Sequence, residues 1–150
     1  MTTIVTAIDI AAPPEAVASV LLDADAAPLW TRDLERLELV DGTVGEAGSV
    51  ALAHYVQRGR RYVLQDRLVA VTPNRHYRSQ ITGEGLVVAV ETSLEPNRHG
   101  TRLTLTWSGA ASSPMMRMML PFLRPFISRR AQDDLLSFRA LVESAQRQDT

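Results

Sequence analysis

Asp66, Tyr77 and Tyr55 are the side chains in this sequence best suited to move a proton or steady a carbonyl oxygen. Their neighbours suggest how. In Tyr62, Leu64, Asp66 and Leu68 every second residue shares a face, so Asp66 falls on a leucine-bearing side. A carboxyl group there loses hydration, which raises its pKa toward the range of general acid/base work. A nearby arginine could instead keep Asp66 ionised as a structural pair, and a local bulge could turn it to water. The same parity puts Tyr77 with Ser79 and Ile81, and Thr92 with Val88 and Val90. The strand carrying Tyr55 is ambiguous by alternation alone.

Much other chemistry is excluded by composition. The 150-residue chain has no cysteine, which removes disulfides, thiolate zinc sites and thiol nucleophiles. All 16 basic residues are arginine, so no lysine exists for a Schiff base or a phosphate-binding loop. Arginine in place of every lysine suggests a GC-rich bacterial genome. His54, His76 and His99 are scattered, with no HExxH spacing, and no serine sits in a GxSxG elbow. No metal and no cofactor is therefore expected. A net charge of -1 gives no electrostatic case for nucleic acid.

The elements that must position these residues follow from changes in period. Ile4, Ile8 and Ile10 mark an opening strand, stopped at Ala12-Pro13-Pro14-Glu15. Val17, Val20 and Leu21 give a short amphipathic helix, and a second short piece covers Ala26 to Thr31 with Trp30. Six alternating stretches follow, beginning at Leu34, Ser49, Arg61, Arg75, Leu86 and Thr101. Their connections are of hairpin length, which makes the sheet antiparallel. From Met116 the apolar residues step by three or four through Leu120, Leu123, Ile127, Leu135, Phe138 and Val142, one helical face. Pro121 and Pro125 predict a regular helix only from about Pro125, with the methionine-rich stretch before it kinked or separate. Arg129, Arg130, Asp133, Asp134 and Arg139 fall mostly on the solvated side. The expected architecture is an α+β domain spanning 1–150, with seven curved antiparallel strands around one long C-terminal helix. Two short helices follow the first strand.

That order, carried by the segments IDIAAPPEAVASVLLD, APLW, VTPNRHYRS and LEPNRHGTRLTLTWSG, resembles the START-like or Bet v 1-like (SRPBCC) superfamily. The bacterial polyketide cyclase/dehydrase branch is the nearest match in pattern. The resemblance implies a helix-grip fold around a deep apolar cavity, and it tips Ala51, Ala53 and Tyr55 inward. Two departures stand out: Ala18 replaces a bulky aromatic common in the first helix, and Ala27 replaces the first of two tryptophans, Trp30 keeping the second.

The expected cavity wall then includes Trp30, Tyr55, Leu64, Tyr77, Ser79 and Val88. Val90, Thr92, Leu105 and Trp107 continue it, and Met116, Leu120 and Leu123 close it from the helix. Sparse polar groups on an apolar wall suit a hydrophobic ligand with one or two oxygens, polyketide-, lipid- or isoprenoid-like. A carrier needs only that volume and a door. A cyclase or dehydratase would also use Asp66, Tyr55 and Tyr77, and the residues leave both open. On the outer face Val50, Leu52, Val87 and Ala89 form a patch that a homodimer would cover. Arg117, Arg124, Arg129 and Arg130 could dock an anionic membrane, but the acidic balance elsewhere argues against membrane contact. The opening MTTIVTAIDI lacks the pattern of a signal peptide and no apolar run reaches ~18 residues. The expected location is the cytoplasm.

Overall fold

A computed structural model describes residues 2–148. Strand β1 (Thr2–Ile10) leads into helices α1 (Pro14–Leu21) and α2 (Ala27–Trp30). Strands β2 (Leu34–Asp41), β3 (Val50–Gln57), β4 (Arg60–Thr72), β5 (His76–Gly83), β6 (Leu86–Asn97) and β7 (Gly100–Ala111) follow, and α3 (Pro114–Gln148) is the last described element. The seven strands form one antiparallel sheet in the order β1-β7-β6-β5-β4-β3-β2. Only the β1–β7 pairing joins strands distant in sequence, and it brings the start of the sheet beside α3. This is the curved-sheet, long-helix arrangement of the Bet v 1-like helix-grip fold.

Alternation sets the inner face as the sequence implies. Leu103 of β7 and Leu94 of β6, directly paired, are buried with Ile10 of β1 and Val17 of α1. Leu135, Phe138 and Val142 of α3 close this core from the helix side. Phe138 is fully buried and meets the edge of the Trp30 ring, centroids 4.9 Å apart. Strand β2 needs help to serve the same face: a register shift between Leu34 and Arg36 lets residues of both parities, Leu34 and Leu37, pack inward.

The expected break in the last helix does not occur. α3 runs as one 35-residue helix with Pro121 and Pro125 inside it. Four residues apart, the two prolines share one exposed side of the helix. The carbonyls they leave without an N–H partner thus face water, which removes most of the cost that a buried proline would carry.

The seam between β1 and β7 is tight. The Thr101 hydroxyl, fully buried, donates to the Ala12 carbonyl oxygen at 2.7 Å. Beside it Gly100 has φ +144, and a Cβ there would lie 2.3 Å from the Ile10 carbonyl oxygen and 2.7 Å from the Ala12 nitrogen. Only glycine lets the two backbones approach so closely. Gly100→Ala is expected to cost about 3 kcal/mol through backbone strain and displacement, read as a lowered urea midpoint. An unchanged midpoint would mean that the seam relaxes freely.

Candidate functional site

The curled sheet and α3 do not meet everywhere. Between them lies a cavity of about 450 Å³. Its sheet wall comes from alternate residues of consecutive strands: Ala51, Ala53 and Tyr55 of β3, Leu64, Asp66 and Leu68 of β4, Tyr77, Ser79 and Ile81 of β5. Val88, Val90 and Thr92 of β6 with Leu105 and Trp107 of β7 complete it. Ile127, Arg130, Ala131, Asp134 and Leu135 supply the helix side, while Leu21, Leu22, Val44 and Gly45 border one end. Trp107 keeps its inward pose because the ring passes over Gly109, where a Cβ would lie 2.2 Å from the indole Cη2.

Trp30, Tyr55, Leu64, Asp66, Tyr77, Ser79, Val88, Val90, Thr92, Leu105 and Trp107 therefore share one space. Met116, Leu120 and Leu123, assigned to the same wall from their helical spacing, are not among its lining residues. The first half of α3 lies along β1, where Arg124 reaches the Thr3 carbonyl oxygen at 3.4 Å, instead of over the cavity. Leu120 is buried away from the cavity, and Met116 lies at the β5–β6 turn, its Cβ 3.9 Å from where a Gly85 Cβ would be.

Sequence reasoning missed Arg130 and Asp134, placed on the solvated side. Both are half-buried at the cavity. Arg130 donates through Nη2 to the Arg32 carbonyl oxygen at 2.6 Å, lies 3.8 Å from the Asp33 carboxylate and sits over the Tyr55 ring at 5.8 Å. Asp134 accepts the Arg32 amide at 3.2 Å. The available signal was spacing: Arg130 and Asp134 stand three and seven residues after Ile127, on its side of the helix. A second depression of about 400 Å³ shares Trp30, Thr31, Leu34 and Asp134 with the cavity, so this segment partitions the two.

Burial sets the protonation of the polar groups. Desolvation raises the Asp66 carboxyl above its ordinary value, opposed only in part by a hydrogen bond with Ser79. Tyr55 is pushed up to about 12, chiefly by desolvation against the attraction of Arg130, so it remains a phenol and a donor. It stacks on Tyr62 with centroids 5.2 Å apart. Asp134 is also raised, by desolvation first. Tyr77 is differently employed: its hydroxyl oxygen accepts the Asn74 amide at 2.9 Å, pinning the β4–β5 turn. The Trp30 indole N–H is buried with no hydrogen-bond partner among the described residues.

The histidines lie apart from this space. His54 faces Glu38 at 3.2 Å and His76 faces Glu91 at 3.8 Å on the outer side of the sheet. Among the described residues no three metal-ligating side chains cluster, and no helix is long and apolar enough to cross a membrane. Of the outer-face patch, Val87 is exposed and Val50, Leu52 and Ala89 are half-buried.

Comparison with known proteins extends this picture. The family model for polyketide cyclase / dehydrase and lipid transport matches residues 1–143. No curated protein matches the chain. Among solved structures, a Chromobacterium violaceum protein is similar with 21% identity and TM-score 0.72, over 95% of this chain and 99% of that one. Ara h 8.0201 is similar with 17% identity and TM-score 0.77, over 95% and 98%. The di-domain ARO/CYC StfQ of the steffimycin biosynthetic pathway reaches TM-score 0.78 at 15% identity, over 96% of this chain and 51% of that one. At these identities the likeness concerns the fold.

The raised Asp66 carboxyl has a measurable consequence for stability. The folded chain holds that proton to higher pH than the unfolded chain, whose carboxyl titrates near 3.8. The associated stability is complete below that value and is lost as pH rises through the folded value. Asp66→Asn should therefore melt higher than wild type at neutral pH, with the gap closing as the pH falls toward 3.8. Parallel melting curves across that range would show a hydrated, unshifted carboxyl.

Proposed function

We propose that this chain, which belongs to the polyketide cyclase / dehydrase and lipid transport family, binds a hydrophobic small molecule in the cavity between sheet and helix. One observation carries the proposal: a cavity of about 450 Å³ whose wall is apolar except for a few separated polar groups. That volume falls within the range of about 300–1,000 Å³ usual for small-molecule sites. Val88, Val90, Leu105 and Trp107 would cover the ligand body. Asp66, Ser79 and Tyr55 offer hydrogen bonds to one or two oxygens. Such a molecule is polyketide-, lipid- or isoprenoid-like, and the protein would serve as its carrier.

Trp30 and Trp107, the two tryptophans of the chain, both line the cavity, so an apolar dye or fatty acid should quench tryptophan emission saturably at micromolar concentration. Trp107→Ala removes ring contacts and is expected to weaken dye binding about tenfold, followed by dye fluorescence. Saturation that survives Trp107→Ala unchanged would place the probe elsewhere. Native mass spectrometry after gentle purification would show the class of any ligand carried through.

A second reading, cyclase or dehydratase activity, is favoured specifically by the desolvated Asp66 carboxyl on the cavity wall. As carboxylate, Asp66 would take a proton from the carbon beside a ligand carbonyl, and the bonding pair would move onto the carbonyl oxygen. The Tyr55 phenol would hydrogen-bond that oxygen. Tyr77, engaged by Asn74, has its own proton left to give to the same task. The enolate carbon would then attack a second carbonyl, forming a carbon–carbon bond, and Asp66 would return its proton to the new alkoxide. Loss of water repeats the cycle: a neighbouring C–H is deprotonated and the hydroxyl leaves protonated. A carboxyl with a raised pKa suits both halves of such a cycle. Asp66→Asn keeps the shape but cannot accept the proton. With a linear poly-β-keto thioester as substrate, it should abolish turnover while dye binding stays within about twofold of wild type. Persistent turnover in Asp66→Asn would remove the carboxylate from the reaction.

A further inference from the structure

The first half of α3 presents an apolar stripe to solvent. Met115, Met119, Phe122 and Phe126 recur every three or four residues, Met118 lies one turn from Met115 and Phe122, and all five share one side of the helix. They are exposed to 74%, 75%, 46%, 84% and 56% respectively. Ordinary surface hydrophobics are scattered singly, whereas these five are continuous over three turns. Segment 114–132 also holds four arginines and no acidic residue, in a chain whose overall charge is -1. Three of these arginines, Arg117, Arg124 and Arg129, are exposed.

We infer that this half of α3 is a docking face for an anionic phospholipid surface, with the phenylalanines and methionines entering the headgroup boundary and Arg117 and Arg129 meeting lipid phosphates. The inference departs from the sequence-based expectation, because net charge does not reveal how charge is distributed along one helix. The chemistry matches that of helices lying in a membrane interface: bulky apolar residues on one side, arginine nearby, no carboxylate to repel the surface. A second copy of this chain fits the stripe less well. A two-fold interface would set the same arginine-bearing segments against each other with no carboxylate within them. Position favours lipid too. Immediately after Phe126, the same helix contributes Ile127, Arg130 and Ala131 to the cavity. A docked α3 would bring the cavity to the bilayer, where a water-insoluble ligand could transfer without crossing bulk water.

Flotation with extruded vesicles tests the docking face directly, without any ligand. Wild type should float with phosphatidylcholine vesicles containing phosphatidylglycerol, and less at high salt or with pure phosphatidylcholine. The double variant Phe122→Ser/Phe126→Ser should lose about tenfold or more of that partitioning. Val63→Ser, at an exposed valine on the sheet, should not. Arg117→Gln/Arg129→Gln should flatten the dependence on phosphatidylglycerol. Dye uptake by the phenylalanine variant in solution should match wild type, which separates failure of docking from failure of the cavity proposal. No flotation of wild type on anionic vesicles, or undiminished flotation of the phenylalanine variant, overturns the inference. So does a dimer in sedimentation equilibrium that the phenylalanine variant dissolves, since the stripe would then belong to a second copy. An acidic protein that competes for the stripe while vesicles do not would overturn it as well.

Discussion

A single helix is narrower than the sheet it must cover. The 7-stranded sheet would span roughly 29 Å if flat, at about 4.8 Å per strand, whereas a helix with its side chains is about 10–12 Å across. Curling reduces the mismatch without removing it. Where Leu135, Phe138 and Val142 of α3 meet Ile10, Val17, Leu94 and Leu103, the two surfaces touch and form the core. Elsewhere the sheet bends around a space that no side chain fills. The cavity is thus the remainder of a packing problem, and fold and site have a common cause.

That origin explains how its polar groups are held. Each sits on a strand whose neighbours fix its direction on both sides, so Asp66 cannot turn to water without slipping a register shared with Ala51 and Ile81. Desolvation of Asp66 and Tyr55 follows from backbone pairing, with no dedicated loop required. The helix contributes differently. Arg130 and Asp134 are tied to the α2–β2 connection through the Arg32 backbone, so the partition at Trp30 and the helix side of the cavity are fastened together.

The sheet was legible in the sequence because alternation reports a face directly, and the parities of β4 to β7 place their side chains as expected. Helical spacing reports a face too, but not what lies opposite it along the helix. Met116, Leu120 and Leu123 share a side with Ile127, yet only Ile127 is level with the cavity. Arg130 and Asp134 failed for the opposite reason: charge suggested solvent, while a half-buried rim accepts charges that pair with backbone. Pro121 and Pro125 suggested a break because composition does not show that both lie on the wet side of the helix. The roles of Asp66, Tyr55 and Tyr77 depend on a ligand, which no spacing encodes.

The order of strands leaves the sheet with two ends, β1 and β2. β1 is shielded, since α3 runs along it and Arg124 occupies the Thr3 carbonyl. β2 has no such cover, and an open row of backbone donors and acceptors is a template for fibrils. Its make-up counters that hazard. Register shifts near both ends interrupt the row, and Glu35, Arg36 and Glu38 bring alternating charge to it, linked to His54 on β3 and Arg61 on β4 beyond it. The same shift that lets Leu34 and Leu37 both pack inward therefore spoils the edge for an incoming strand. Colloidal safety and a lined interior are met here by one extra residue.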